Sequence, residues 1–273
     1  PTLPTVSTTK PSGTTIATST AKVSGSVIKN GGMNIQARGI IWSSDSVFVP
    51  DSLHFRSFLN KSEETINTGT GLSSFTRDIT GLAPGTKYYV WAYATNLVGT
   101  GFGNRDSLTT KDVPTVRTTA SVFDSLSNSL VAGGQISSDG GVSVTARGVV
   151  WSITDKNPTI ALASKTNNGT GVGNYSSVIG GLVPGATYYY KAYGTNSIGT
   201  GYGQLDSITV PAMLPTLSKV TLSNMTTVSS DASALVESDG GGKILAFGFV
   251  YSFSANPTIA DNLVPGIGAS SNN

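Results

Sequence analysis

The chain contains no cysteine, and only one of its 273 residues is a histidine. Disulfide frameworks, thiol chemistry and the usual zinc sites are therefore excluded, because they need cysteine or clustered histidine ligands. Charged residues make up only 12% of the chain, the formal net charge is +2, and no Lys/Arg cluster occurs. Nucleic acid binding depends on a concentrated basic surface, so we expect no nucleic acid partner. Without a run of about 18 apolar residues, we also expect no insertion into a membrane.

Candidates for catalysis are equally scarce. His54 is the only histidine, and Glu63-Glu64 is the only acidic doublet. A general base must lie in a pocket beside the group that orients it, and a glycosidase needs two carboxylates that flank a cleft. Nothing in the sequence indicates such a pairing, so we interpret these residues as surface groups. We predict that the chain is not an enzyme and that it holds no cofactor and no metal.

What the chain has in abundance is glycine, with 33 residues, together with serine, threonine and asparagine. Short runs rich in Val, Ile, Thr and Tyr alternate with Gly, Asn and Asp turns, which is typical of β-strands joined by hairpins. The pattern predicts an all-β fold. In the first hundred residues we expect strands over 4–9, 18–28, 36–43, 74–79, 87–95 and 103–109.

Internal repetition divides this β-rich sequence. The repeats begin at Pro4, Pro114 and Pro215, each followed by threonine and an aliphatic residue. A period of this length is far above the 20–50 residues of solenoid repeats, so each repeat is long enough to be a domain. We predict a first module over 1–110 with an insertion at about 44–65, a second over 111–210, and the N-terminal half of a third over 211–273.

The motif Leu-x-Pro-Gly-x-x-Tyr occupies residues 82–88 and again 182–188. It resembles the tyrosine corner of immunoglobulin-like sandwiches, in which a tyrosine at the start of strand F bonds back across the preceding turn. The resemblance implies that Tyr88 and Tyr188 make this bond. It also places Trp42 and Trp151 on strand C as core anchors.

Three longer phrases resemble the fibronectin type III-like repeats of secreted and surface proteins of Bacteroidota. They are Ala-Arg-Gly-Val-Val-Trp-Ser, Asn-Pro-Thr-Ile and Tyr-Tyr-x-x-Ala-Tyr-x-Thr-Asn-x-x-Gly-Thr-Gly-Tyr-Gly. The resemblance covers nearly the whole chain. It implies tandem fibronectin type III-like β-sandwiches in an extracellular, cell-surface protein, and it is specific for fold rather than for function.

The third repeat has no counterpart of strands E, F and G. Half a sandwich would leave a hydrophobic face and open strand edges. We expect the sequence to be a trimmed piece of a longer protein whose neighbouring modules complete it. The alternative is that a partner supplies the missing strands by β-augmentation.

Strand F carries a candidate contact face. If Tyr88 and Val90 point inward, the residues between and after them point to the opposite face of the sheet. These residues could stack on sugar rings or on another surface protein; they are Tyr89, Trp91 and Tyr93, with Tyr189 and Tyr193 in the second repeat. The alternative is packing within the sheet, with Arg38 or Arg147 laid over a ring.

Two further features have both a structural and a functional interpretation. Asp139-Gly140-Gly141 and Asp239-Gly240-Gly241 occupy the place of Asn30-Gly31-Gly32, and we interpret all three as hairpin turns rather than calcium sites. The inserted segment holds Phe48, Phe55 and Phe58. It forms either a surface specific to the first module or an additional strand on its own sandwich.

An Asp-Ser-aliphatic triplet occurs five times, and it is similar to the O-glycosylation acceptor motif of secreted Bacteroidota proteins. We hypothesise that at least one of its serines carries a glycan, which would form a bulky, solubilising surface cover. The serines are Ser46, Ser52, Ser107, Ser125 and Ser207.

Three functions are open at this point. The first is a structural or adhesive segment of a bacterial surface protein, acting as a semi-rigid spacer or interaction module. The second is an accessory spacer in a larger secreted enzyme that acts on polysaccharide. The third is a filament or phage-fibre subunit whose half module is completed by a partner strand.

Overall fold

A computed structural model of the chain describes residues 1–51, 61–65 and 71–267. The described residues form strands and one short 3-10 turn at Gly13–Thr15, and the strands pair antiparallel. The all-β prediction is therefore confirmed. No helix in these ranges has the length and apolarity needed to cross a membrane.

Two sheets make up the N-terminal sheet pair. The first has the order β1-β2-β5. The second has the order β4-β3-β6-β7, and β8 also pairs with β6. The bounds are β1 Thr5–Thr9, β2 Thr20–Lys29, β3 Ala37–Ser43, β4 Lys61–Thr65, β5 Ser74–Thr80, β6 Lys87–Thr95, β7 Thr100–Phe102 and β8 Asp106–Thr109.

The middle sheet pair repeats this arrangement without a counterpart of β4. One sheet has the order β12-β10-β9, and the other has the order β11-β13-β14 with β15 paired to β13. The bounds are β9 Thr115–Asp124, β10 Ser129–Ser138, β11 Ala146–Ser152, β12 Gly173–Ile179, β13 Thr187–Thr195, β14 Thr200–Tyr202 and β15 Asp206–Thr209.

A hydrophobic core lies between the two sheets of each pair. In the N-terminal pair, Val23 and Ile79 of one sheet and Val90 of the other are fully buried in one cluster. Side chains alternate across a strand, so each strand contributes every second residue to this interior. Trp42 and Trp151 pack against the two cores as partly buried neighbours. Complete burial of an aliphatic side chain of this size contributes about 1.5–3 kcal/mol, which makes this layer the main source of stability.

Strand G differs from the expected single strand over 103–109. It is divided into β7 and β8, which both pair with β6. Between them, Gly103 donates its N–H to the Ala92 carbonyl at 2.8 Å, and the Asn104 side-chain oxygen accepts the Thr8 N–H at 3.1 Å. The second of these bonds joins the stretch between β7 and β8 to β1, in the opposite sheet.

The remaining strands form the C-terminal hairpins. They pair as β16 with β19, β17 with β18, and β20 with β21. The bounds are β16 Thr216–Leu217, β17 Thr221–Ser223, β18 Asp231–Ser233, β19 Val236–Ser238, β20 Gly248–Tyr251 and β21 Asn262–Pro265.

The C-terminal hairpins preserve the register of the first two strands but not their burial. Leu217 pairs with Val236, just as Val6 pairs with Val27 in the N-terminal sheet pair. Val6 is 8% exposed, whereas Leu217 is 60% exposed. Val6 lies in one core cluster with Val90 and Ala92 of β6, and the described residues of the C-terminal hairpins contain no counterpart of β6.

Candidate functional site

The turn before β6 and the equivalent turn before β13 are each closed by a tyrosine. The Tyr88 hydroxyl accepts a hydrogen bond from the Ala83 N–H at 2.9 Å, and the Tyr188 hydroxyl accepts one from the Val183 N–H at 3.0 Å. Both rings are buried against the cores. Burial holds each ring in place, so the hydroxyl can satisfy a main-chain donor that the turn leaves unpaired. The geometry is that of a tyrosine corner.

Each double-glycine turn is closed by the side chain before it. The Asp139 carboxylate accepts the Gly141 N–H at 2.8 Å, and the Asp239 carboxylate accepts the Gly241 N–H at 2.8 Å. Such bonds are local turn chemistry, and they occupy an oxygen that a metal would need. In the described part of the chain, no group of three or more His, Cys, Asp and Glu side chains could hold a metal.

A buried asparagine after strand F joins three loops. Asn96, which is 2% exposed, donates its Nδ2 to the carbonyls of Thr2 and Asn30, both at 2.8 Å. Its Oδ1 accepts the N–H groups of Val98 and Gly99 at 2.9 and 3.1 Å. The same four bonds recur at Asn196, with Asp112, Asp139, Ile198 and Gly199. The Asn96 side chain thus joins three segments: the segment before β1, the double-glycine turn after β2, and the turn that follows β6.

We did not identify this asparagine as a structural residue from the sequence. The Thr-Asn-x-x-Gly phrase at 95–99 and 195–199 was an available signal, because it is repeated. What the phrase could not reveal is the identity of the distant carbonyls, since Thr2 and Asn96 are 94 positions apart.

The outer face of β6 is covered by the chain itself. Trp91 and Tyr93 are buried, at 4% and 0% exposure, in a cluster with Ile41. Phe48 packs edge-on against Trp91 with ring centroids 5.5 Å apart. β4 extends the same sheet by pairing with β3, so the two described parts of the insertion, Phe48 and β4, lie against their own sheet. Phe55, Phe58 and Ser52 lie outside the described residues, as do His54 and the side chains of Glu63 and Glu64.

The outer face of β13 is covered in a different way. Tyr193 is 4% exposed, and its hydroxyl donates to the Thr166 carbonyl at 2.6 Å. Lys191 takes the place of Trp91; its Nζ donates to the Asn157 side-chain oxygen at 2.7 Å and lies 4.3 Å from the centre of the Tyr202 ring. Burial lowers the pKa of Lys191, and the nearby Asp155 carboxylate opposes this shift.

The five predicted aromatic contacts therefore divide into two sets. Trp91, Tyr93 and Tyr193 are buried by the chain's own residues, because both outer faces are covered, whereas Tyr89 and Tyr189 are half-buried. The rings that lie under the two arginines belong to the opposite sheet. Arg38 lies 5.0 Å from the Phe75 ring centre, and Arg147 lies 5.3 Å from that of Tyr175.

A hydroxyl cluster lies at the edge of the middle sheet pair, where Asp206 is exposed. Tyr190 is fully buried, and its hydroxyl is 2.7 Å from both the Ser121 hydroxyl and the Asp206 carboxylate. Burial raises the pKa of Tyr190 to about 12; the Ser121 bond opposes the shift and Asp206 adds to it. Burial likewise raises the pKa of Tyr175 to about 12. Because their pKa values are raised, the hydroxyls of Tyr175 and Tyr190 stay protonated at neutral pH. They form hydrogen bonds between strands and do not act as bases.

The serines of the Asp-Ser-aliphatic triplets lie in two settings. Ser46 and Ser125 are exposed in loops where the preceding aspartate accepts the N–H two residues on, at 2.9 Å from Val47 and 3.0 Å from Leu126. Ser207 is exposed on β15, whereas Ser107 is half-buried on β8.

Compared with known proteins, the chain matches no family model and has no significant match among curated proteins.

Proposed function

We propose that the chain is a tandem array of fibronectin type III-like sandwiches and that it acts as a non-catalytic, semi-rigid spacer or interaction segment of an extracellular bacterial surface protein. In this proposal, the three modules are the N-terminal sheet pair, the middle sheet pair and the C-terminal hairpins. The strand order is the same in the first two apart from the additional β4, and each contains a tyrosine corner, which supports the same fold for both.

The observation that carries the spacer function is a main-chain hydrogen bond that recurs where the chain enters each module. It joins the incoming segment to the double-glycine turn of that module. The N–H of Thr2 donates to Gly31, that of Asp112 to Gly140, and that of Met213 to Gly240, at 2.7–2.9 Å. Because each linker is hydrogen-bonded to the module that follows, it is not a free flexible tether. Modules joined in this way hold their neighbours at a fixed distance.

Surface exposure can be tested on intact cells of the source organism. Brief proteolysis of washed cells should release peptides from this chain, while a cytoplasmic protein followed in the same sample stays intact. Release only after lysis would contradict the extracellular placement. Release together with loss of adhesion, but with no loss of any hydrolytic activity, would support the structural function over an enzymatic one.

The C-terminal hairpins support a second candidate function, that of a subunit completed by a strand from another chain. Leu235 and Leu263 are 72% and 58% exposed, and one edge of β20 has no strand beside it in the described residues. An exposed apolar sheet with an open edge is the usual acceptor for strand addition.

Self-association tests this second candidate. The chain should assemble with rising concentration in analytical ultracentrifugation. A copy of residues 177–210, which contain the end of β12 and all of β13, β14 and β15, can be fused to the C-terminus. These strands should cover the hairpins within the same chain and so suppress assembly. A chain that stays monomeric at every concentration would leave only the spacer function.

A further inference from the structure

The middle sheet pair and the C-terminal hairpins meet through main-chain atoms of two turns that contain glycine. Pro184 and Gly185 form the turn before β13, and Gly240 and Gly241 form the double-glycine turn after β19. A methyl group at Gly241 would overlap the Pro184 carbonyl and lie 2.7 Å from the Gly185 nitrogen. Conversely, a methyl group at Gly185 would overlap the Gly241 carbonyl. The two turns are therefore in contact at a distance that no side chain allows.

Each turn is anchored to its own part of the chain. The Gly185 N–H donates to the Val210 carbonyl at 2.9 Å, at the end of the middle sheet pair. On the other side, the Met213 N–H donates to the Gly240 carbonyl at 2.7 Å, and the Gly241 N–H donates to the Asp239 carboxylate at 2.8 Å. Neither turn can move without breaking these bonds, so their contact relates two rigid parts of the chain.

The equivalent turns between the first two sheet pairs do not touch in this way. A methyl group at Gly141 would have only the Lys111 Cγ near it, at 3.9 Å. Gly85 instead faces the flexible Asp112 carboxylate, with Oδ2 2.7 Å from the position of an added methyl. The two linkers also differ in length: Asp112 follows Thr110 by two positions, whereas Met213 follows Val210 by three.

On the basis of the spacer function above, we propose that the Pro184-Gly185 and Gly240-Gly241 turns form a joint that fixes the angle between the middle sheet pair and the C-terminal hairpins. Its specificity is steric, because only glycine lets the two backbones approach. Alanine at either glycine would force the two parts of the chain to separate or rotate.

The two double-glycine turns supply a matched pair of variants. Gly141 and Gly241 have φ of 77° and 78°, follow the same Asp-Gly sequence, and receive the same aspartate hydrogen bond. Alanine therefore carries the same cost of positive φ at both positions. Only at Gly241 does it also collide with another part of the chain.

The absence of cysteine allows distances to be measured between two introduced spin labels. Exposed Asn174 and Lys219 report on the Gly241 joint, and exposed Lys10 and Asn174 report on the preceding one. We expect a narrow 174–219 distribution in the parent chain and a shifted or broadened one in Gly241→Ala. The 10–174 distribution should be the same in the parent chain and in Gly141→Ala.

A second variant separates loss of the joint from unfolding of the hairpins. Gly185→Ala lies in the middle sheet pair, has its own matched control in Gly85→Ala, and should alter the 174–219 distribution as Gly241→Ala does. An unchanged 174–219 distribution in both Gly185→Ala and Gly241→Ala would overturn the joint but leave the spacer function intact. A broad distribution already present in the parent chain would contradict the spacer function itself.

Discussion

Asn196 and Asp112 are joined by a hydrogen bond of 2.8 Å from the side-chain nitrogen of one to the main-chain carbonyl of the other, 84 positions apart. The same asparagine nitrogen also donates to the Asp139 carbonyl at 2.8 Å. The linker from the N-terminal sheet pair is thereby held to the interior of the middle one. Asn96 holds Thr2 in the same way.

Loss of this asparagine should destabilise the middle sheet pair strongly. Asn196→Ala leaves two carbonyls and two N–H groups near the buried site without their partner. We expect a loss of about 2–4 kcal/mol in the free energy of unfolding, measured from hydrogen exchange of the β13 amides. Asn174→Ala, at an exposed position, should change it by less than about 0.5 kcal/mol. Equal effects of the two substitutions would show that the Asn196 hydrogen bonds do not stabilise the middle sheet pair.

The tyrosine corners should contribute through their hydroxyls. Tyr188→Phe keeps the buried ring but leaves the Val183 N–H without its acceptor, so we expect a loss of about 1–2 kcal/mol. Denaturant unfolding of Tyr188→Phe and of the half-buried control Tyr189→Phe gives the comparison. A stability of Tyr188→Phe that matches the control would show that the corner bond is dispensable.

Stability should fall in alkaline solution. The pKa of Tyr190 is raised to about 12 by burial, from about 10 in the unfolded chain. A raised pKa in the folded state means that the contribution is complete below pH about 10 and is lost as the pH rises toward 12. Tyr190→Phe should therefore reduce the slope of unfolding free energy against pH in this window. An unchanged slope would place Tyr190 in a solvated setting instead.

Glycosylation should occur at the solvent-exposed serines of the Asp-Ser-aliphatic triplets. Peptide mass spectrometry of the protein from its native source should find sugar on Ser46, Ser125 or Ser207, which are exposed, before Ser107, which is half-buried on β8. Bare peptides at all of these serines and at Ser52 would end the hypothesis. Modification of Ser107 alone would contradict the order given by exposure.

Local pattern predicted most strand positions. The expected strand over 87–95 coincides with β6, because Tyr88, Val90 and Ala92 alternate with period two and the Pro-Gly turn fixes where the strand begins. The same alternation correctly separated Tyr88 from Trp91, which lie in different clusters on opposite faces of the sheet.

Alternation gives the face on which a side chain lies but not what covers that face. The covering of Trp91 by Phe48 depends on where a loop 43 positions away in sequence returns to the sheet. Lys191, which takes the place of Trp91, is likewise buried, at 6% exposure. Contacts between distant loops decided both outcomes, and a short sequence window carries no information about them.

Mechanical unfolding of the single chain tests the tandem-module account most directly. If the N-terminal and middle sheet pairs are independent sandwiches, pulling the ends apart should give two separate force peaks, each releasing about 300 Å of chain at ~3.4 Å per residue. The C-terminal hairpins, with their exposed apolar side chains, should extend at lower force. A single peak that releases the whole length at once would contradict the account, because it would mean that the chain folds as one body.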